Sequence, residues 1–140
     1  DIDAKLKRRA QVMHSKLGQE LKINEFLTAK DHHDDYKDIR NDVHRINMLV
    51  QEAEEQNIEL DADLVAKVNA FTSRLISERN LRKQRELYLE GISTSDNAQV
   101  EKLQNLITDA EKKKVEEDYI KSASKLTSQM SGNIKARDTL

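Results

Sequence analysis

The stretch Tyr36-Lys37-Asp38-Ile39-Arg40-Asn41-Asp42-Val43-His44-Arg45-Ile46-Asn47-Met48-Leu49-Val50-Gln51-Glu52-Ala53 decides the fold. Its apolar residues Tyr36, Ile39, Val43, Ile46, Val50 and Ala53 advance by alternating steps of three and four. That is a heptad seam, and its period belongs to an α-helix. Leu49 widens the stripe, so the face suits a bundle as well as a two-stranded coil. The spacing predicts a helix over 35–57. Directly after it comes Asn57-Ile58-Glu59-Leu60-Asp61-Ala62-Asp63-Leu64-Val65. Asp61 is predicted to cap a new helix, and Leu60 and Val65 have the spacing of a hydrophobic staple. So short a connection predicts an antiparallel helical hairpin.

The pattern continues in both directions. Downstream, Leu64, Val68, Phe71 and Leu75 predict a helix over 61–90, closed by Gly91. Ser93, Thr94, Ser95 and Asp96 offer caps for a fourth helix over 95–131, about 50 Å long at the helical rise. Its stripe is Val100, Leu103, Leu106, Ile107 and Ala110, then a five-residue step to Val115, then Tyr119, Ala123, Leu126, Met130 and Ile134. A step of five shifts the seam to another face or bends the helix near 111–115. Upstream, Leu6, Ala10, Met13, Leu17 and Leu21, extended by Ile23, Phe26 and Leu27, predict a helix over 3–29. Gly18 weakens it by up to ~1 kcal/mol. Lys30-Asp31-His32-His33-Asp34-Asp35 is polar and supplies aspartate caps, so a break or kink falls there, one that can straighten into helix on assembly.

The fold class expected is therefore all-α: one module over 1–140, with long amphipathic helices forming an antiparallel hairpin or bundle with coiled-coil character. Composition agrees. The 140 residues include no Pro, Cys or Trp and three Gly, which excludes turn-rich β architectures, disulfides and thiolate metal sites. Apolar and charged residues each make up 36%, aromatics only 4%, so the chain can bury narrow stripes but no thick aromatic core. No run of 18 apolar residues exists, and the first residues carry no signal-peptide core. The chain reads as a fragment of a longer protein.

Charge is uneven along it. Residues 1–30 carry +3, 31–60 carry −6, 61–90 carry +1 and 91–140 are neutral. Blocks of alternating sign suit solvated helix faces, or helices that lie beside each other or a second copy in fixed order.

Catalytic chemistry finds no footing. Adjacent His32 and His33 point about 100° apart on a helix, so with Asp31, Asp34 and Asp35 they read as a capping segment rather than a metal site. His14 and His44 lack a glutamate three residues before them, so the Glu-x-x-His pairs of di-iron bundles are absent. Gly18, Gly91 and Gly132 stand alone, so no phosphate loop exists. No base is placed to activate Ser122, Ser124, Thr127, Ser128 or Ser131. The expectation is no enzyme, no cofactor and no metal.

Arg74, Arg79, Arg82, Lys83 and Arg85 form the densest basic cluster, but they spread over about half the helical cylinder and are interrupted by Glu78 and Glu86. This suits a salt-bridged face, or an acidic protein partner bound through Arg79, Arg82, Lys83 and Arg85, better than nucleic acid or a membrane surface. Lys112–Lys114 precede Glu116, Glu117 and Asp118 and suit pairing along the helix.

The hairpin from Ala53 through Asn57–Val65 to Arg74, Leu75 and Glu78 resembles helical hairpins of large cytoskeletal and ciliary scaffold proteins, over fewer than 30 of 140 residues. The absence of cysteine suits a cytoplasmic origin, and the resemblance implies association with the cytoskeleton and assigns no site residue. A spectrin-type repeat would carry a tryptophan in its first helix, and none is present.

Two functions from different classes remain. One is a structural or protein–protein interaction module that assembles with a partner or with itself through helix packing. Its interface is Tyr36, Ile39, Val43, Ile46, Val50, Leu64, Val68, Phe71, Leu75, Val100, Leu103 and Ile107. The other is a monomeric helical adaptor that takes an acidic protein, lipid or nucleic acid on the Arg74–Arg85 surface. Neither calls for a transmembrane segment.

Overall fold

The computed structural model describes residues 2–91 and 96–138. The chain is all-α: α1 (Ile2–Ala29), a 3-10 turn (Tyr36–Asp38), α2 (Ile39–Glu55), α3 (Ala62–Leu89), α4 (Asn97–Lys112) and α5 (Glu117–Asp138), with no strand among the described residues. The expected break at 30–35 is non-helical, and Asp35 caps the 3-10 turn by accepting from the Lys37 amide at 2.9 Å.

The chain divides into two compact units. Unit 1 comprises 1–34 and 40–72; unit 2 comprises 35–39 and 73–140. The division falls inside α3, which gives its first part to unit 1 and the remainder to unit 2.

Unit 1 is an up-down-up set of three helices, and its contacts fix the directions. The Gln19 side-chain amide of α1 donates to the Leu49 carbonyl of α2 at 2.8 Å, while Phe26 and Ala29 share a groove with Arg45 and Leu49, so α1 and α2 are antiparallel. Lys16 and Glu20 of α1 meet Asp61, and Phe26 meets Phe71 edge-on at 6.4 Å between ring centres, so α1 and α3 are parallel. Ile46, Leu49, Ala53, Leu64, Val68 and Phe71 are buried, whereas Val43 and Val50 are half-buried. Leu49 therefore lies nearer the centre of the α2 seam than Val50.

Of the residues expected to form a staple, Leu60 is half-buried. Val65 is exposed and Leu64 is the buried residue, and Asp61 bonds across to α1. Its carboxylate is taken by Lys16 at 2.8 Å, and its amide donates to the Glu20 carboxylate at 3.0 Å.

Unit 2 packs α4 against α5 and places Leu81 of α3 in the same core with Val100, Leu103, Ile107, Ala110, Val115, Ala123, Leu126, Met130 and Ile134. The continuous helix expected over 95–131 is in fact two helices. The chain reverses at 113–116, and the five-residue step from Ala110 to Val115 is the mark of that reversal. Lys114 adopts φ 60°, its amide bonds the Glu111 carbonyl, and the Val115 amide bonds the Ala110 carbonyl at 3.0 Å. This is a Schellman stop with its apolar contact between buried Ala110 and Val115. The α2 stop repeats it bond for bond: Asn57 has φ 55°, its amide bonds Glu54, and Ile58 bonds Ala53 at 2.8 Å. Gly91, at φ 77°, closes α3 as expected, its amide bonding the Tyr88 carbonyl. Asp96 caps α4 by accepting from the Gln99 amide at 2.8 Å; the candidate caps Ser93, Thr94 and Ser95 lie outside the described residues.

These matching stops expose an internal repeat. Val43-x2-Ile46-x2-Leu49-Val50-x2-Ala53-Glu54 in α2 recurs 57 residues later in α4 as Val100-x2-Leu103-x2-Leu106-Ile107-x2-Ala110-Glu111. The long helices correspond as well. Asp3-Ala4-x-Leu6, Ser15-x-Leu17 and Glu20 in α1 recur 58 residues later around α3 as Asp61-Ala62-x-Leu64, Ser73-x-Leu75 and Glu78. The chain is thus two successive pairs of a long and a short helix, followed by the long helix α5.

Candidate docking surface

Unlike its counterpart in α3, the first half of α1 is bare. Every described residue from 2 to 15 is exposed, and residues 4–19 include five Lys/Arg and no Asp/Glu. Leu6, Ala10, Met13, Leu17 and Leu21 fall within an arc of about 80° at 100° per residue. Leu6 is 56% exposed, Met13 64%, Leu17 61% and Leu21 58%. A second face of the same helix, formed by Gln19, Glu20 and Ile23 with half-buried Phe26 and Leu27, carries the packing in unit 1. The sequence reading merged these two faces into one stripe.

The lower end of the bare stripe runs into an open groove of about 500 Å³ between α1 and the start of α3, where Leu17, Leu21 and Asn24 face Ala62, Leu64 and Lys67. Lys16 and Asp61 sit at its edge. Their mutual hydrogen bond holds the Asp61 carboxyl below, and the Lys16 ammonium above, the ordinary values. Lys16 is half-buried and Asp61 exposed, so solvent screens the pair and it adds little to the stability of the fold.

The corresponding groove in unit 2 is smaller, about 240 Å³, and an aromatic stack occupies its edge: the Arg82 guanidinium lies 4.2 Å from the centre of the Tyr119 ring. Arg82 also bonds Glu78 at 3.2 Å, and Arg74 reaches the same carboxylate at 3.9 Å. Glu78 is buried, and burial pushes its carboxyl above the ordinary value despite these two cations.

The basic cluster is therefore no single surface. Arg74 and Arg82 turn toward Glu78, Arg79 is half-buried, and only Lys83 and Arg85 are exposed. Neither a family model, a curated protein nor a solved structure matches this chain.

The residues expected at the packing interface differ in burial. Ile39, Ile46, Leu64, Val68, Phe71, Leu75, Val100, Leu103 and Ile107 are buried, while Tyr36, Val43 and Val50 are half-buried. The structure distributes them over two units instead of joining them in one seam. At the 30–35 segment, His33 is buried and its ring bonds the Asp42 carboxylate at 2.6 Å. No group of three or more metal-type ligands gathers among the described residues, and none of their helices is long and apolar enough to cross a membrane.

Sequence reading missed the bare α1 face as a site. Its periodicity matches that of a packed helix, and only the tertiary structure tells a covered stripe from an open one.

Proposed function

We propose that this chain is a helical protein–protein interaction module in which the first half of α1 is the docking element. The single observation carrying this is the exposure of Leu6, Met13, Leu17 and Leu21 on one helical arc. A solvated helix of about 14 residues is marginal by itself in water. Bulky apolar side chains on such a helix gain stability only when another surface covers them. The mode is helix-to-helix packing of coiled-coil type, consistent with a scaffold role. The scattered arginines of α3 support the adaptor reading less, since Arg74 and Arg82 are engaged by Glu78.

Position-specific photo-crosslinking tests this. A benzophenone side chain replacing Met13 in the full chain is expected to give discrete adducts in the native cellular setting. The same group replacing Lys125, an exposed residue of α5, is expected to give none of them. Identical adducts at both positions, or none at position 13, would remove α1 as the docking element.

A further inference from the structure

Resting on that docking role, we propose that the occupant of the α1 stripe is an acidic, antiparallel pair of amphipathic helices, built like the pair that residues 19–60 form in this chain. The inference comes from the internal repeat. Leu6, Ala10, Met13 and Leu17 of α1 align without a gap with Leu64, Val68, Phe71 and Leu75 of α3. In unit 1 the α3 positions serve as the closing face over a helix pair: Leu64 is 6% exposed, Val68 4% and Phe71 7%, with Phe71 against Phe26 of α1. The α1 positions have the same spacing and the same flanking Asp-Ala and Ser-x-Leu elements, yet none of the described residues covers them. A terminal repeat built to end an array presents a polar outer face. This face is apolar, so it is the interior type of surface, ready to close a further helix pair.

Charge specifies the partner. Residues 4–19 carry five Lys/Arg and no Asp/Glu, whereas the in-chain pair at 19–60 carries eleven Asp/Glu against five Lys/Arg. A partner pair of the same sign as 19–60 complements the α1 face and is steered to it. A second copy of α1 is disfavoured because two equally basic helices repel. The stripe has no aromatic residue and has alanine near its centre, which suits close helix packing better than insertion into lipid.

The test supplies the helix pair in cis, where effective concentration replaces affinity. Residues 19–60 are duplicated and joined directly ahead of Asp3 in the full chain, so the new junction reads Leu60-Asp3-Ala4 in place of the native Leu60-Asp61-Ala62. Amide exchange of residues 4–17 is expected to slow on the order of 100-fold relative to the parent chain. Combined Leu6→Asp and Met13→Asp substitutions should reverse this. Unchanged exchange in the fusion overturns the proposal. If Met13 adducts nonetheless persist, the docking role stands and only the helix-pair occupant falls; if they are also absent, both fall. Two further results overturn it in favour of other occupants. One is self-association of the parent chain in sedimentation equilibrium that Leu6→Asp and Leu17→Asp abolish. The other is binding of the parent to phosphatidylserine-containing vesicles, with protection of residues 4–17.

Discussion

The two long helices α1 and α3 share a register, a pattern and a length of 28 residues, yet one has a bare first half and the other a buried one. Their apolar spacing does not separate them, although residues 4–19 of α1 are strongly basic and the aligned residues of α3 are not. What differs is the neighbour: α3 begins on the pair formed by α1 and α2, whereas no described residue covers the start of α1. The same comparison extends to their second halves. At the position where Gln19 donates to the Leu49 carbonyl, α3 has Ser77, whose buried hydroxyl has no hydrogen-bond partner among the described residues. At the position where Glu20 caps the α2–α3 connection by accepting from the Asp61 amide, α3 has Glu78, held by two arginines. Unit 1 thus keeps its groove open and its polar contacts directed at backbone. Unit 2 fills the equivalent space with Arg82 and Tyr119.

The largest contrast is expected between Phe71→Ala and Met13→Ala. Removing the buried ring should cost about 3–5 kcal/mol in urea unfolding, and truncating its exposed counterpart should stay within about 0.5 kcal/mol. A comparable loss at Met13 would mean that the α1 stripe is already covered. Next, Gln19→Ala should cost about 1 kcal/mol, because it removes a buried side-chain hydrogen bond between α1 and α2. Ser77→Ala, by contrast, should be neutral or gain up to about 1 kcal/mol by removing an unsatisfied hydroxyl. Equal losses at the two positions would break the equivalence drawn between them.

Smaller effects sharpen the comparison of the two stops. Lys114→Gly is expected to raise stability by about 1 kcal/mol, since a lysine at φ 60° bears the left-handed strain that glycine escapes. Asn57→Gly should gain only a few tenths, asparagine being the side chain that tolerates this region best. Glu78 gives a pH signature. Its folded pKa is raised above the unfolded value, so the folded state binds the proton more tightly. The stability linked to that proton is fully present below the unfolded pKa and is lost as pH rises through the folded pKa. Wild type should therefore lose stability relative to Glu78→Gln as pH climbs from 4 to 7. A difference independent of pH would contradict the burial-driven shift.

Much of the architecture was legible locally. The heptad steps from Ile39 to Ala53 and from Leu64 to Leu75, the Gly91 stop and the Asp96 cap are short-range chemistry, and short-range chemistry is what a single sequence displays. The α4–α5 reversal was half legible. The step of five at Ala110–Val115 showed a displaced seam, but lysine carries no signal for a left-handed stop, and the surrounding Lys and Glu are good helix formers. The turn is imposed by burying Val115 beside Ala110, a tertiary gain. The internal repeat was present in plain spacing and escaped a segment-by-segment reading, because it emerges only when α2 is laid on α4 and α1 on α3. Which part of the α1 stripe stays exposed was not legible, since Leu6–Leu17 and Leu64–Leu75 share their apolar spacing and differ in surroundings.

Residue-resolved amide exchange of the monomeric chain at low concentration tests the central claim most directly, by comparing 4–15 in α1 with 62–72 in α3. The expected result is that 62–72 exchange only through opening of unit 1, while 4–15 exchange at rates close to those of an unfolded peptide. Equal protection of the two segments in the monomer would contradict the claim that α1 presents an uncovered docking face.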